Sequence, residues 1–365
     1  MASSLLILMT LFSACNDEVH PDDTSASATA LYFPPTTGKQ WQTAPANDLG
    51  WNESELVKLL SFLETNNTRA FIVLKDGKIA VEEYWGNTVT DDAPFGANSF
   101  WYWASAGKTL TATLVGIAQQ ESLLNIDDKT SDYLGAGWSS LGTEKESLIT
   151  IRHQLSMTTG LDFQTQDLNC TEPFCLTYRS DAGEQWYYHN APYTLLGQVV
   201  GTASGMDYDA YSNQKIESVI GMNGRWISAG FNNIYWSSAR DMARFGLLIL
   251  NRGSWENVAL LSNENFFNQM VSPSQQINPS YGYLWWLNGQ NNITLPSSAS
   301  SLNMELASNA PADLIAGIGK NGQLLDIVPS ENLVVVRMGE TPGSQLVPMD
   351  FHNELWQRLS RVMSR

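Results

Sequence analysis

Two pairs of strand-forming runs, each folded about a turn signal, stand at opposite ends of this chain, and that separation limits the fold more than any other feature. Near the start, Phe71-Ile72-Val73-Leu74 and Lys78-Ile79-Ala80-Val81 flank Asp76-Gly77, a pair that reads as a hairpin because the tight turn needs positive φ. Near the end, the runs Gln323 to Val328 and Leu333 to Arg337 flank Pro329-Ser330-Glu331-Asn332. Between them the apolar residues take up helical spacing. Leu110, Leu114, Ile117 and Ala118 share one face of Ala106 to Gln120, and Met242, Phe245, Leu248 and Ile249 do the same in Ala239 to Leu250. The tail from Asp350 to Met363 repeats it with Leu355, Trp356, Leu359 and Val362. Strands at both ends around a helical middle predict an α+β fold, with one antiparallel sheet completed by the two chain ends. Residues 41–120 and 281–365 would form the sheet domain and 121–280 a mainly helical one. Gly282 to Asn292 and Ser297 to Ser301 read as surface excursions, although Trp285-Trp286 must bury or line something.

With 365 residues, 43% of them hydrophobic, the chain can bury a sizeable core. Its net charge of −17 argues against a nucleic-acid partner, which requires clustered Lys and Arg. Leu5 to Phe12 is an apolar run too short to span a bilayer, followed by Ser13-Ala14-Cys15. It looks like a bacterial lipoprotein signal, although no Lys or Arg precedes the run: 1–14 a signal peptide, Cys15 the lipidated residue, 15–40 a polar tether. The expected location is the periplasm or cell envelope, with the membrane met only through a lipid on Cys15. Cys170 and Cys175, with Pro173 between them, would pair in an oxidising compartment, the alternative being two reduced thiols. No further ligands stand near them and no H-E-x-x-H occurs, so neither metal nor cofactor is expected.

A G-x-S-x-G elbow is absent, which removes the main support for an α/β-hydrolase. Ser105-Ala106-Gly107-Lys108 offers different machinery. Positions i and i+3 share a helix face, so an amine can lie beside a hydroxyl that needs a proton acceptor before it can attack. Lysine serves as that acceptor only when burial lowers its pKa. The pattern is short, and Ser212-Asn213-Gln214-Lys215 also fits it. Context favours Ser105, which opens a predicted helix straight after Phe100-Trp101-Tyr102-Trp103, whereas Ser212 lies in a polar stretch expected to be exposed. Taken alone, Ser105 would be a helix cap and Lys108 a solvated charge.

A second element is Tyr188-His189-Asn190, at the start of a predicted helix. With the S-x-x-K at Ser105, this Y-x-N resembles the serine β-lactamase and penicillin-recognising superfamily, in its class C-like branch with carboxylesterases and nylon-oligomer hydrolases. The segment Ile149 to Leu161 and the closing strand pair share the resemblance. It implies a β-lactamase-like fold, Ser105 as the acylated nucleophile, Lys108 and Tyr188 as the proton-handling pair, and Asn190 as a substrate-orienting amide. The family's K-T-G motif has its counterpart in Gly317-Ile318-Gly319-Lys320. In one register Gly317-Ile318-Gly319 matches it, and the Lys320 N–H joins that of Ser105 as an oxyanion hole. A register three residues earlier chooses Gly317 instead. Neither keeps the motif's lysine, which weighs against efficient penicillin hydrolysis. The resemblance therefore implies a hydrolase of small esters or amides, then a β-lactamase or D-Ala-D-Ala carboxypeptidase. A non-catalytic envelope sensor is the alternative of another class.

Overall fold

The computed structural model describes residues 30–343, 345 and 347–364. The segment expected to be a signal peptide and Cys15 lie outside them. In chain order, helix α1 (Glu53–Thr65) leads into the hairpin of β1 (Thr68–Lys75) and β2 (Lys78–Tyr84). Asp76 and Gly77 both take positive φ, 52° and 81°, as the D-G pair predicts. Only glycine fits at 77, because a Cβ there would stand 1.9 Å from the Tyr32 carbonyl oxygen. This contact also shows that residues 31–40, expected as the end of a tether, run against the body. Tyr32 N–H donates to the Asp76 carbonyl, and the carbonyls of Pro34 and Pro35 accept from the Arg244 guanidinium.

A short strand β3 (Trp101–Tyr102) precedes α2 (Lys108–Gln120), and the middle then supplies α3 (Ile151–Leu155), α4 (Asn190–Thr194) and α5 (Leu196–Ser204). The hairpin β4 (Arg225–Ala229) and β5 (Asn232–Ser237) pairs with β3. Helix α6 (Ala239–Leu250) follows, then β6 (Trp286–Leu287), β7 (Ile315–Gly319), β8 (Gln323–Val328), β9 (Leu333–Gly339) and α7 (Met349–Val362). The main sheet runs β2-β1-β9-β8-β7-β6, antiparallel at every step. Its β1–β9 pairing, Val73 opposite Val335, joins the two chain ends.

Adjacent residues of β8 show how the sheet is covered. A Cβ on Gly246 of α6 would meet Leu325 and Val334, whereas Asp326 accepts from Trp356 Nε1 of α7 at 2.8 Å and lies 2.7 Å from His352 Nε2. Neighbouring side chains of a strand point to opposite faces, so α6 covers one face and α7, packed with α1, the other. From Leu31 onward the chain forms one compact unit, and one hydrophobic core takes in both the sheet and much of the helical middle. A smaller cluster (Trp138, Ile149, Leu161, Leu176 and Ala191) lies apart from it. Two expectations need correction. Residues 282–288 are buried, not a surface excursion, since β6 completes the sheet edge. Ser212 is buried too: its hydroxyl donates to Glu217, while Lys215 pairs with Glu121, so the second S-x-x-K brings no amine to its serine.

Candidate active site

The chain ahead of Ser105 is pinned by aromatics. Trp103 is fully buried, stands edge-on to Tyr235 at 5.0 Å, and donates through Nε1 to Ser237 Oγ at 2.8 Å. Its backbone N–H donates to the Tyr235 carbonyl. The next residue, Ala104, takes φ +48°, a conformation that costs a side-chain-bearing residue energy and persists only where neighbours enforce it. It begins a 3-10 turn, Ala104–Gly107, that carries Ser105 into α2.

Lys108 opens α2 and places Nζ 3.0 Å from Ser105 Oγ. Lys108 is 3% exposed and no acid among the described residues offsets its charge, so burial drives its pKa down to about 7. The ring faces of Tyr188 and Tyr193, 5.0 and 4.2 Å from Nζ, favour the ammonium and partly oppose that fall. A neutral amine is therefore available near pH 7.

Tyr188 is set by the segment after α3. The Met157 carbonyl accepts from Tyr187 N–H, and that of Thr158 accepts from Gly183 N–H. The Tyr188 ring stacks on Trp286 at 5.8 Å and meets Tyr281 edge-on. Burial pushes its phenol well above the ordinary range, with a hydrogen bond to Ser105 acting in the opposite sense. Of these two candidate groups, Lys108 is the one whose proton-accepting form is accessible near neutrality. Tyr188 stays a phenol.

Strand β7 forms the wall opposite. A Cβ on Gly319 would lie 2.5 Å from the Trp103 carbonyl and 3.1 Å from Ala106 N, and one on Gly317 would crowd Thr109. These two glycines let the strand backbone close on the serine turn. Ser105, Lys108, Tyr188, Asn190, Ile318 and Lys320 border one cleft of about 390 Å³. Neither Gly317 nor Gly319, both expected at the oxyanion site, is among the lining residues; they act by letting the strand approach the serine turn. Asn190 opens α4, and its amide donates to Asn169 Oδ1 at 2.8 Å. Cys170 and Cys175 are bonded to each other, closing the loop that follows Asn169.

Residues not singled out from sequence also border the cleft: Asn169, Tyr193, and Asn232 and Asn233 on the β4–β5 hairpin. The position of Asn169 just before a paired cysteine, and of Tyr193 three residues past Asn190, were the available signals. Of Trp285-Trp286, Trp285 packs in the core against Phe245 and Trp286 lines the cleft. Trp101, Trp103, Trp186 and Tyr187 serve packing and are not among the lining residues. Among the described residues no cluster of His, Cys, Asp and Glu is placed to hold a metal.

The model of the beta-lactamase family matches residues 67–355. An uncharacterized protein of Alkalihalophilus pseudofirmus is 25% identical over 324 residues, 79% of this chain and 88% of that protein. Among solved structures, a candidate 6-aminohexanoate-dimer hydrolase from Bacillus anthracis superposes with a TM-score of 0.64 at 18% identity, covering 84% of this chain and 82% of that one. A penicillin-binding protein homologue from Caulobacter crescentus gives 0.65 at 13% identity, covering 85% and 96%. At such identities the superpositions speak to the fold alone.

Proposed function

Because this chain belongs to the beta-lactamase family, we propose that it hydrolyses small esters or amides through an acyl-enzyme on Ser105. The observation that carries this reading is the Lys108 amine, buried without an acid partner among the described residues, 3.0 Å from the Ser105 hydroxyl. The family match and the fold support a serine hydrolase; the acyl-enzyme and the substrate class are our reading.

Ser105 Oγ attacks the carbonyl carbon as its proton passes to neutral Lys108. The Ser105 and Lys320 N–H groups face the developing oxyanion, a role favoured by the close approach of Gly319 to the serine turn. Each such donor lowers the barrier by on the order of 3 kcal/mol. As the carbonyl re-forms, the bond to the leaving group breaks, and the proton held by Lys108 reaches the departing oxygen or nitrogen by way of the Tyr188 phenol. Water then attacks the acyl carbonyl as Lys108 takes its proton, the bond to Ser105 Oγ breaks, the carboxylic acid departs, and the proton on Lys108 returns to Oγ.

Hydrolysis of β-lactams ranks second, because β7 carries Gly317-Ile318-Gly319 with no lysine at its first position. Ester turnover without turnover of a chromogenic cephalosporin is the expected result. A fluorophosphonate probe should label the native protein and leave Ser105→Ala unmarked; equal labelling of both would refute the nucleophile.

A further inference from the structure

Arg337 of β9 is a wholly buried arginine that does not border the cleft. Phe351 of α7 covers its guanidinium at 5.1 Å. The five hydrogen bonds it donates all end on neutral oxygens. Nε donates to Thr68 Oγ1 at 3.2 Å, and Nη2 to the carbonyls of Asn66 and Glu340 at 2.9 and 2.8 Å. Nη1 donates to the carbonyls of Asn321 at 2.7 Å and Gly322 at 3.0 Å. Burying a cation is costly, and an apolar side chain of similar volume would fill the space without that cost. What the guanidinium adds is a grip on four carbonyls, two of them in the turn by which the chain leaves β7.

That turn, Lys320–Gly322, is not one the backbone keeps unaided. Asn321 and Gly322 take φ of +64° and +73° in succession, and a side-chain-bearing residue stays in that region only where its surroundings enforce it. Besides Arg337, Gln323 Nε2 donates to the Lys320 carbonyl at 3.2 Å, and Asn321 Nδ2 donates to Tyr102 Oη at 2.8 Å. Gln323 is itself set by Gly339, accepting from its N–H and donating to its carbonyl. The carbonyls of Lys320, Asn321 and Gly322 are thus all held. A turn released at these points could rotate about Lys320 and carry its N–H away from the cleft.

We propose that Arg337 is a positioning residue: with Gln323 it locks the Lys320–Gly322 turn so that the Lys320 N–H stays aimed at the developing oxyanion. The inference deepens the hydrolase reading and rests on it for that oxyanion. Acting through the turn, Arg337 serves the tetrahedral state and not the binding of the ground state.

The test reads kcat for p-nitrophenyl butyrate per Ser105 titrated with a fluorophosphonate. Beside it stands the inhibition constant of phenylboronic acid, which adds to Ser105 Oγ as a tetrahedral anion. Arg337→Lys keeps a buried cation, but its compact ammonium cannot reach all four carbonyls at once. In that variant kcat should fall by about tenfold or more, the boronate constant should rise by a similar factor, and KM should stay within about twofold. The acid limb near pH 7 should not move, because Lys108 is untouched. Arg337→Met should lose more, and added guanidinium should restore part of its activity; where this variant does not fold, Arg337→Lys decides. A merely structural role would lower the melting temperature of Arg337→Lys and leave kcat per titrated Ser105 and the boronate constant in place, which would overturn the proposal. A native protein that turns over no ester and takes no label on Ser105 would instead sink the hydrolase reading, and this inference with it.

Discussion

Burial strips water from the Lys108 ammonium, while the faces of Tyr188 and Tyr193 return part of that solvation. The two effects have opposite signs on the amine, which makes Tyr193 a sensitive probe. Tyr193→Leu removes an aromatic face and keeps an apolar side chain, so Lys108 should lose its proton at lower pH. The acid limb of kcat/KM, near pH 7 in the native enzyme, should move down by about one unit, whereas Tyr193→Phe should leave it in place. A site merely loosened and wetted would move the limb up. Stability should register the same charge. With the folded pKa of Lys108 depressed to about 7, the unfolded chain binds more protons between about pH 7 and its ordinary value near 10.5, so stability rises with pH across that window. The penalty is complete below about pH 7. Lys108→Met should therefore stabilise the protein at pH 6 by on the order of 2–4 kcal/mol, and much less at pH 10, while ending activity. Thermal unfolding at the two pH values checks it.

Strand β7 and helix α7 carry the main element-scale dependencies. Gly319→Ala would set a Cβ against the Trp103 carbonyl at 2.5 Å, and since both contacts are backbone, β7 must retreat from the serine turn. Activity should fall by about a hundredfold or more, as expected when an oxyanion donor is displaced, and unfolding should come at lower temperature because the clash is with backbone. On the other face, Trp356→Phe leaves buried Asp326 short of a donor and should cost about 1–3 kcal/mol by denaturant unfolding, with kcat unaffected. The sequence made both hairpins legible, because D-G and the P-S-E-N turn sit between apolar, strand-forming runs, and made α2, α6 and α7 legible by their apolar spacing. It made the Ser105–Lys108 pair legible by its i, i+3 spacing. Ser212 is buried despite its polar neighbours because Tyr211 and Ile216 anchor the same stretch in the core, so composition is no guide to exposure there. The burial of residues 282–288 leaves no trace in the sequence, because a two-residue strand is too short to show a period. Asn169, Asn232 and Asn233 reach the cleft on a disulfide loop and a hairpin, where no periodicity announces which way a side chain points.

For the whole molecule, charge and site have opposite characters. The chain carries a net −17, yet the ionisable side chains bordering the cleft include the basic Lys108 and Lys320 and no carboxylate. Long-range repulsion should slow the approach of an anionic ester and added salt should relieve it, so kcat/KM for a carboxylate-bearing ester should rise between 0.01 and 0.15 M ionic strength, by about twofold or more, and fall for a cationic one. No such opposition would mean that the local lysines outweigh the acidic surface. The central claim is that a neutral Lys108 activates Ser105, and mass spectrometry of the fluorophosphonate adduct across pH tests it most directly. A single adduct mapping to the peptide of Ser105, forming at a rate that halves near pH 7 on acidification, is the predicted result. An adduct on any other serine, or a rate flat from pH 5 to 9, would contradict it.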